Sequence, residues 1–267
     1  MGSRAQIIAT IGKSSDNIEI FTAMVMAGVD IARLNFSWGS FEEKKCSIDM
    51  IREVEKKTGK RVLIIVDLSG PRIQTGQEHT YDRAVTVSFT EKDRESVKFG
   101  VSENVDYFAL SFVGTAQDVL LCREAIASFG GSQKVIAKIE RTVAVHAIDE
   151  ILKVADAVMI ARGDLGKELP LEQIPFVQVE IIKKCKSAGK PVITATGMLL
   201  SMTENLEPTR AEVTDVSGAI MEGSDVVMLS EETASGKNPV EAVAEMERIV
   251  SEAEKHLDGS ITLNILK

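Results

Sequence analysis

The sequence predicts an α/β fold, a single (β/α)8 barrel of the TIM type, and three observations predict it. A short β-branched or aliphatic run, a loop rich in Gly, Ser, Thr or Asp, and an amphipathic stretch follow one another in that order eight times. The 267 residues suit a barrel of roughly 250, whereas a doubly wound open sheet more often stops at about five or six strands. Polar and charged residues gather where the runs end, the rim at which such a barrel carries its chemistry.

The first strand is read over residues 6–10, and the helix after it stops at Gly28. The second strand, 31–35, leads to a helix announced by Ser40 and Glu43, a capping box in which each side chain takes an orphan N–H of the first turn. Gly59 ends that helix before the third strand, 61–67. Between 77 and 88 the alternation is weak and no helical stripe exists, so a loop or small hairpin is expected to interrupt the third unit. Thr90 and Asp93 repeat the capping box, and the fourth strand covers 107–111. Strands five and six are read over 134–139 and 157–161. Pro175 suits a first helical turn, where a missing N–H costs nothing, and Gly189 ends that helix before strand seven, 191–194. Strand eight covers 225–229, and Pro239 opens the last helix. Every crossover is long enough for a parallel connection. No linker or low-complexity stretch divides the chain, so residues 1–267 are expected to form one domain.

Composition narrows the function. Forty acidic against 31 basic residues give a net charge of −9 and no strong basic cluster, which argues against a nucleic-acid partner. The longest apolar runs fall far short of the roughly 18 to 20 residues that cross a bilayer, so no membrane role is expected. The start, residues 1–6, has no apolar targeting segment, which points to the cytoplasm. Cys46, Cys122 and Cys185 are odd in number and far apart, and read as reduced thiols. His79, His146 and His256 are equally scattered, so any metal would be hard and bound by oxygen rather than zinc held by His and Cys.

The strand ends carry the candidate site. Period two puts Arg33, Asn35 and Ser37 on one side of the second strand, and the third ends at Asp67 with Arg72 in the following loop. Lys138 and Glu140 share a face at the end of the fifth, Arg162, Gly163 and Asp164 follow the sixth, and Thr196 follows the seventh. Taken singly, Arg33 with Asp67, or Lys138 with Glu140, also reads as a structural ion pair, Asp164 as a helix cap and Arg162 as structural. Together they fit a small phosphorylated or oxoacid substrate. Glu140 and Asp164 can hold Mg²⁺ or Mn²⁺, Lys138 can steady a developing enolate or a moving phosphoryl group, and Arg33 suits a phosphate or carboxylate. The N–H groups of Gly163 and Asp164 can seat an anion if they open a helix.

Seven ordered phrases resemble the barrel domain of the pyruvate kinase family over almost the whole chain. They begin at Ala9-Thr10-Ile11-Gly12, Ala32-Arg33-Leu34-Asn35-Phe36-Ser37, Gly70-Pro71, Lys138-Ile139-Glu140, Ala161-Arg162-Gly163-Asp164, Gly189-Lys190-Pro191 and Pro208-Thr209-Arg210. The resemblance implies a barrel of the phosphoenolpyruvate/pyruvate type. It implies that Glu140 and Asp164 bind the divalent metal, that Lys138 assists phosphoryl transfer, and that Arg33, Asn35, Ser37 and Asp67 form the phosphate and monovalent-cation corner. Gly163, Asp164 and Thr196 would seat the pyruvate carboxylate, with Thr196 near the carbon that is protonated.

Departures from the family pattern matter equally. The family inserts a lid domain after the third strand and appends a domain after the barrel; the expectation here is a barrel with only the 77–88 loop or hairpin in the lid's place. Trp38, Leu68, Gln74, Gly197 and Glu231 stand where the family has His, Thr, Arg, Gln and Gly, which leaves the use of a nucleotide open. Arg72 falls where potassium-dependent members carry Glu and potassium-independent ones Lys, so K⁺ is not expected to be required. Three functions are consistent with this set. They are phosphoryl transfer involving phosphoenolpyruvate, a nucleotide-independent lyase acting on pyruvate or oxaloacetate, and a non-catalytic metabolite-binding protein. A homodimer or a monomer fits the expected loss of the terminal domain.

Overall fold

Parallel strands cannot be joined by a tight turn, so each needs a crossover to carry the chain back, and here that solution repeats around a closed ring. A computed structural model describes residues 2–75, 78–81, 87–257 and 261–267. The ring strands are β1 (Gln6–Thr10), β2 (Ile31–Asn35), β3 (Leu63–Asp67), β4 (Tyr107–Leu110), β5 (Lys134–Ile139), β6 (Ala157–Ala161), β7 (Val192–Ala195) and β8 (Val226–Leu229). They pair in parallel in chain order, and β8 closes against β1 with Gln6 opposite Val226 and Ile8 opposite Met228. This is the (β/α)8 barrel that the sequence predicts. The third strand starts at 63 instead of 61 because the Val62 N–H goes to the Glu55 carboxylate at 2.8 Å instead of to a neighbouring strand.

The predicted caps form. Ser40 and Thr90 exchange reciprocal bonds with Glu43 and Asp93 at the starts of helices Phe41–Thr58 and Glu91–Ser102. Pro175 and Pro239 lie in the first turns of Ile174–Ser187 and Pro239–Glu254. After β3 a two-stranded hairpin, Ile73–Thr75 against Glu78–Thr80, breaks the rhythm. Of the loop or hairpin expected over 77–88, residues 77 and 82–86 lie outside the described residues. No described helix is long and apolar enough to cross a membrane. All three cysteines are free, with Cys122 and Cys185 buried and Cys46 exposed.

Alternation along each strand makes two apolar layers. Ile8, Ile31, Ile65, Ile136, Met159 and Ile193 fill the barrel, while Ile7, Leu34, Ile64, Val66 and Val135 face outward into a layer shared with the helices. The N-terminal mouth is plugged by the segment ending at 267. Leu266 is buried there, its N–H donates to Gln6 Oε1 at 2.8 Å, and the Lys267 N–H donates to the Tyr107 hydroxyl at 3.0 Å. The first residues are clamped to the last helix. The Ser3 N–H donates to Glu247 at 2.7 Å, and the Arg4 and Ala5 N–H groups share one oxygen of Glu254 at 2.8 and 2.6 Å.

At that mouth a second pattern appears. Asp30, Asp106, Asp156 and Asp225 each stand one residue before an even-numbered strand, and each carboxylate accepts an N–H from the odd-numbered strand before it. The donors are Ile7, Ile64, Val135 and Val192, at 2.9, 2.8, 2.7 and 2.9 Å. The four clips fix register two strands at a time, because a one-residue slip would turn every inward side chain outward.

Asp30 gives the clip a pH signature. Burial pushes its carboxyl up to about 6, the Ile7 amide pulls the other way, and the Glu247 charge adds to the rise. A carboxyl raised above its unfolded value of about 3.9 contributes stability that is complete below that value and is lost as pH rises through the folded value. The wild-type protein is expected to lose up to about 3 kcal/mol between pH 4 and 7 relative to Asp30→Asn, which keeps an oxygen acceptor. Parallel pH profiles in urea unfolding would reject this assignment.

Candidate active site

Inward positions at the C-terminal ends of the strands open on the rim, and there the alternation delivers Thr10, Arg33, Asp67, Lys138 and Glu140 to one place. Asp67 is the junction. Its Oδ2 lies 2.6 Å from Arg33 Nε and its Oδ1 lies 2.9 Å from Lys138 Nζ. Lys138 Nζ also lies 3.0 Å from Glu140 Oε1 and donates to Ser111 Oγ at 2.7 Å, while Arg33 Nη1 donates to Thr10 Oγ1 at 2.9 Å. The second oxygen of Glu140 accepts the Phe112 N–H at 2.5 Å. Asp67, Lys138 and Glu140 are all buried.

Electrostatics separate the two acids. Burial works against the Asp67 charge, but Arg33 and Lys138 outweigh it and hold the carboxyl well below the usual carboxylate range. Burial pushes the Glu140 carboxyl up, with the Asp164 and Asp67 charges adding to the rise, and it outweighs Lys138 and the Phe112 N–H, which favour the charge. The Asp164 charge therefore raises the cost of ionising Glu140, and a cation between the two would relieve it.

The remaining predicted residues stand around this centre. Gly163 and Asp164 lie in the single helical turn Arg162–Leu165 after β6, and a Cβ at Gly163 would stand 2.8 Å from Thr196 Cγ2. Thr196 has a φ of 77°, a strained value for a β-branched residue, and its carbonyl accepts from Arg162 Nη2 at 2.8 Å. Arg162 in turn grips both oxygens of Asp215 at 2.6 Å. Arg72 Nη1 donates to Ser37 Oγ at 3.4 Å, its Nη2 lies 3.6 Å from Asp164 Oδ2, and its guanidinium covers the Phe112 ring. Asn35 Oδ1 accepts the Ser37 N–H at 3.0 Å.

Arg33, Asn35, Arg72, Lys138, Glu140, Gly163, Asp164 and Thr196 line a cleft of about 680 Å³. Asp67 and Ser37 do not line it and stand behind it, holding the cations that do. Of the departures, Trp38 and Glu231 line the cleft and Leu68 is fully buried, while the Gln74 side chain lies outside those described. Strand-end reading missed Thr10 and Ser111, although alternation from Ile8 and Ala109 places both inward. It also missed Lys13 and Lys44, which line the cleft from loop and helix positions. Among the described residues no three His, Cys, Asp or Glu side chains gather as a metal cage. Glu140 and Asp164 still fit a divalent ion, because two carboxylate oxygens suffice for Mg²⁺ when substrate and water complete the shell.

An acid pair, a buried lysine and an arginine thus converge on one rim of a (β/α)8 barrel. The family model of the pyruvate kinase barrel domain matches residues 2–88 and 83–243. The pyruvate kinase of Thermotoga maritima is 35% identical over 333 aligned positions, which cover 95% of this chain and 72% of the relative. That of Clostridium perfringens is 36% identical, covering 99% and 73%, and that of Sporosarcina psychrophila 37%, covering 96% and 58%. The chain belongs to the pyruvate kinase family and spans about three fifths to three quarters of the length of these relatives. The 333 aligned positions exceed the 267 residues here, so the Thermotoga relative carries inserted chain within the aligned stretch.

Lys138 pairs with two buried acids, Asp67 and Glu140, so Lys138→Met is expected to cost about 3–5 kcal/mol in denaturant unfolding at pH 7. A loss below about 1 kcal/mol would mean that the acids are not charged against it.

Proposed function

We propose that the chain is a divalent-metal-dependent enzyme of phosphoenolpyruvate and pyruvate enolate chemistry, and that its reaction is phosphoryl transfer involving phosphoenolpyruvate. The observation that carries this reading is the Arg33–Asp67–Lys138–Glu140 chain of contacts on one rim. Mg²⁺ or Mn²⁺ held by Glu140 and Asp164 would supply Lewis acidity to the oxoacid oxygens. The protein's own groups do the rest. Gly163, without a Cβ, leaves room for the substrate carboxylate beside its own and the Asp164 N–H. Lys138, positioned by Asp67, steadies the negative charge of the enolate oxygen. Arg33, fixed through Nε and Nη1, turns its remaining edge toward the phosphoryl group. Thr196, which lines the cleft, delivers the proton to the enolate carbon in this proposal.

The place of the family's lid belongs, in this proposal, to the loop or hairpin over 77–88, and the two matched stretches of the family model meet within it, at 83–88. Arg72, beside Ser37, takes the role of a monovalent cation.

A nucleotide-independent lyase acting on pyruvate or oxaloacetate is the second reading. It is favoured by the exposed Trp38 at the cleft, next to an otherwise intact metal end. With Mg²⁺, phosphoenolpyruvate and ADP, the wild-type protein is expected to form ATP equally well with and without K⁺. Glu140→Gln, which keeps an acceptor for the Phe112 amide, should lose at least roughly a hundredfold of that rate and its binding of Mn²⁺ with oxalate. Pyruvate release from oxaloacetate without ADP, lost in the same variant, would move the assignment to the lyase. Absence of both reactions and of oxalate binding would leave only a metabolite-binding protein.

Self-association is the accompanying proposal. Leu171 and Phe176, 79% and 77% exposed just before and within the start of helix Ile174–Ser187, are apolar side chains that a homodimer would cover. Light scattering should give twice the chain mass for wild type and the chain mass for Phe176→Glu; a monomeric wild type would end the proposal.

A further inference from the structure

The acid pair of the cleft is carried by two separate loops. Glu140 follows β5 and is held by the Phe112 N–H, which comes from beyond β4, whereas Asp164 stands in the short turn Arg162–Leu165 after β6. One side chain touches the supports of both. Tyr81 directly follows the hairpin strand Glu78–Thr80, and its ring lies 4.5 Å from the Phe112 ring. Its hydroxyl donates to Glu168 Oε1, and the Arg141 guanidinium lies 5.7 Å over its ring. Glu168 sits one turn beyond Asp164, where its N–H donates to the Leu165 carbonyl at 3.0 Å and its second oxygen accepts the Thr142 N–H at 2.6 Å. A single tyrosine thus joins the chain that leaves β4, β5 and β6.

Phe112 needs a partner of this kind. Its φ of 56° is strained for a bulky residue and persists only where the surroundings over-determine it, and its amide is the one that meets Glu140. The same ring lies under the Arg72 guanidinium, whose Nη2 is 3.6 Å from Asp164 Oδ2. The ordinary reading of Tyr81 is a ring that covers apolar surface and a hydroxyl that finds an acceptor. What exceeds that reading is where the two contacts lead, one to the support of Glu140 and the other to the turn that carries Asp164.

We propose that Tyr81 is a positioning residue that fixes Glu140 and Asp164 relative to each other, through its ring on Phe112 and its hydroxyl on Glu168. Groups that orient the carboxylates of a metal site set its affinity without touching the ion. The catalytic meaning of this role rests on the reading of Glu140 and Asp164 as the divalent-metal pair, while the tie between the loops stands on the contacts alone.

The test uses wild type, Tyr81→Phe and Tyr81→Ala, with amide hydrogen exchange in the absence of metal and calorimetric titration of Mn²⁺ in the presence of oxalate. Tyr81→Phe keeps the ring and loses the hydroxyl, so exchange should quicken at Thr142 and across 162–168 and stay as in wild type at Phe112. Tyr81→Ala should quicken all three. Mn²⁺ should bind about tenfold more weakly to Tyr81→Ala, and about threefold more weakly, half of that free energy, to Tyr81→Phe. A Tyr81 that only covers surface would lower the melting temperature of both variants and leave the Mn²⁺ affinity of Tyr81→Phe unchanged, and that result would overturn the proposal. So would unchanged exchange across 162–168 in Tyr81→Phe, which decides the matter even if Tyr81→Ala does not fold. A wild type that binds no Mn²⁺ with oxalate, yet shows the expected exchange pattern, would remove the divalent-metal reading and leave the positioning of the two acids standing.

Discussion

Asp67 between Arg33 and Lys138 is the contact on which the rim depends. Two cations brought to one rim of a barrel repel each other, and one buried carboxylate with an oxygen for each turns that repulsion into a fixed spacing. A buried pair of this kind adds little net stability, because desolvation cancels most of the attraction. What it supplies is geometry. The Asp67 carbonyl also accepts the Phe36 N–H at 2.9 Å, and the Leu68 N–H reaches the Ala109 carbonyl at 2.9 Å, so the chain around Asp67 holds the ends of β2, β3 and β4 in register. The residue that orients the cations is thus also embedded in the sheet, and the cations cannot drift without the strands.

Most of the barrel was legible in the sequence because it depends on alternation and punctuation, which are local. Ser40 with Glu43, Thr90 with Asp93, and Pro175 and Pro239 name their helix starts without any tertiary information. Arg33, Lys138 and Glu140 were legible for the same reason, since each ends a run whose inward face is already decided. Thr10 and Ser111 obeyed the same parity and were passed over because a lone hydroxyl at a strand end resembles a turn residue. Lys44 was invisible, because a lysine in a first helical turn reads as a solvated charge until the fold places it on the wall of the cleft. The four aspartate clips were hidden similarly. An Asp before a strand is ordinary turn chemistry, and only closure of the barrel shows that each one reaches back to the preceding strand.

Backbone strain was not legible at all, and it concentrates at the rim. Phe112 and Thr196 have φ values of 56° and 77°, each costing on the order of 1–3 kcal/mol unless neighbours over-determine it. They do. Phe112 donates its N–H to Glu140, and its carbonyl accepts the Ser88 hydroxyl, while the Thr196 carbonyl takes both Arg162 donors. Glycines make the room. Gly70, at a φ of 62°, passes where a Cβ would stand 2.9 Å from the Phe112 ring. Arg162, read from sequence as structural, is structural in that sense, yet what it supports is the conformation of a residue facing the cleft.

The clamp between residues 3–5 and the carboxylates of Glu247 and Glu254 has a consequence for synthesis. On the ribosome, β1 emerges first but has only β2 on one side until β8 and the helix Pro239–Glu254 have been made. Throughout that interval the nascent sheet carries two open edges, β1 and whichever strand came last, each offering unpaired backbone groups to other chains. The aspartate clips at 30, 106, 156 and 225 complete strand pairs as they appear, so exposed edge does not accumulate along the growing chain. The last helix then acts as a latch, and a chain released before it is finished would keep an open seam at β1.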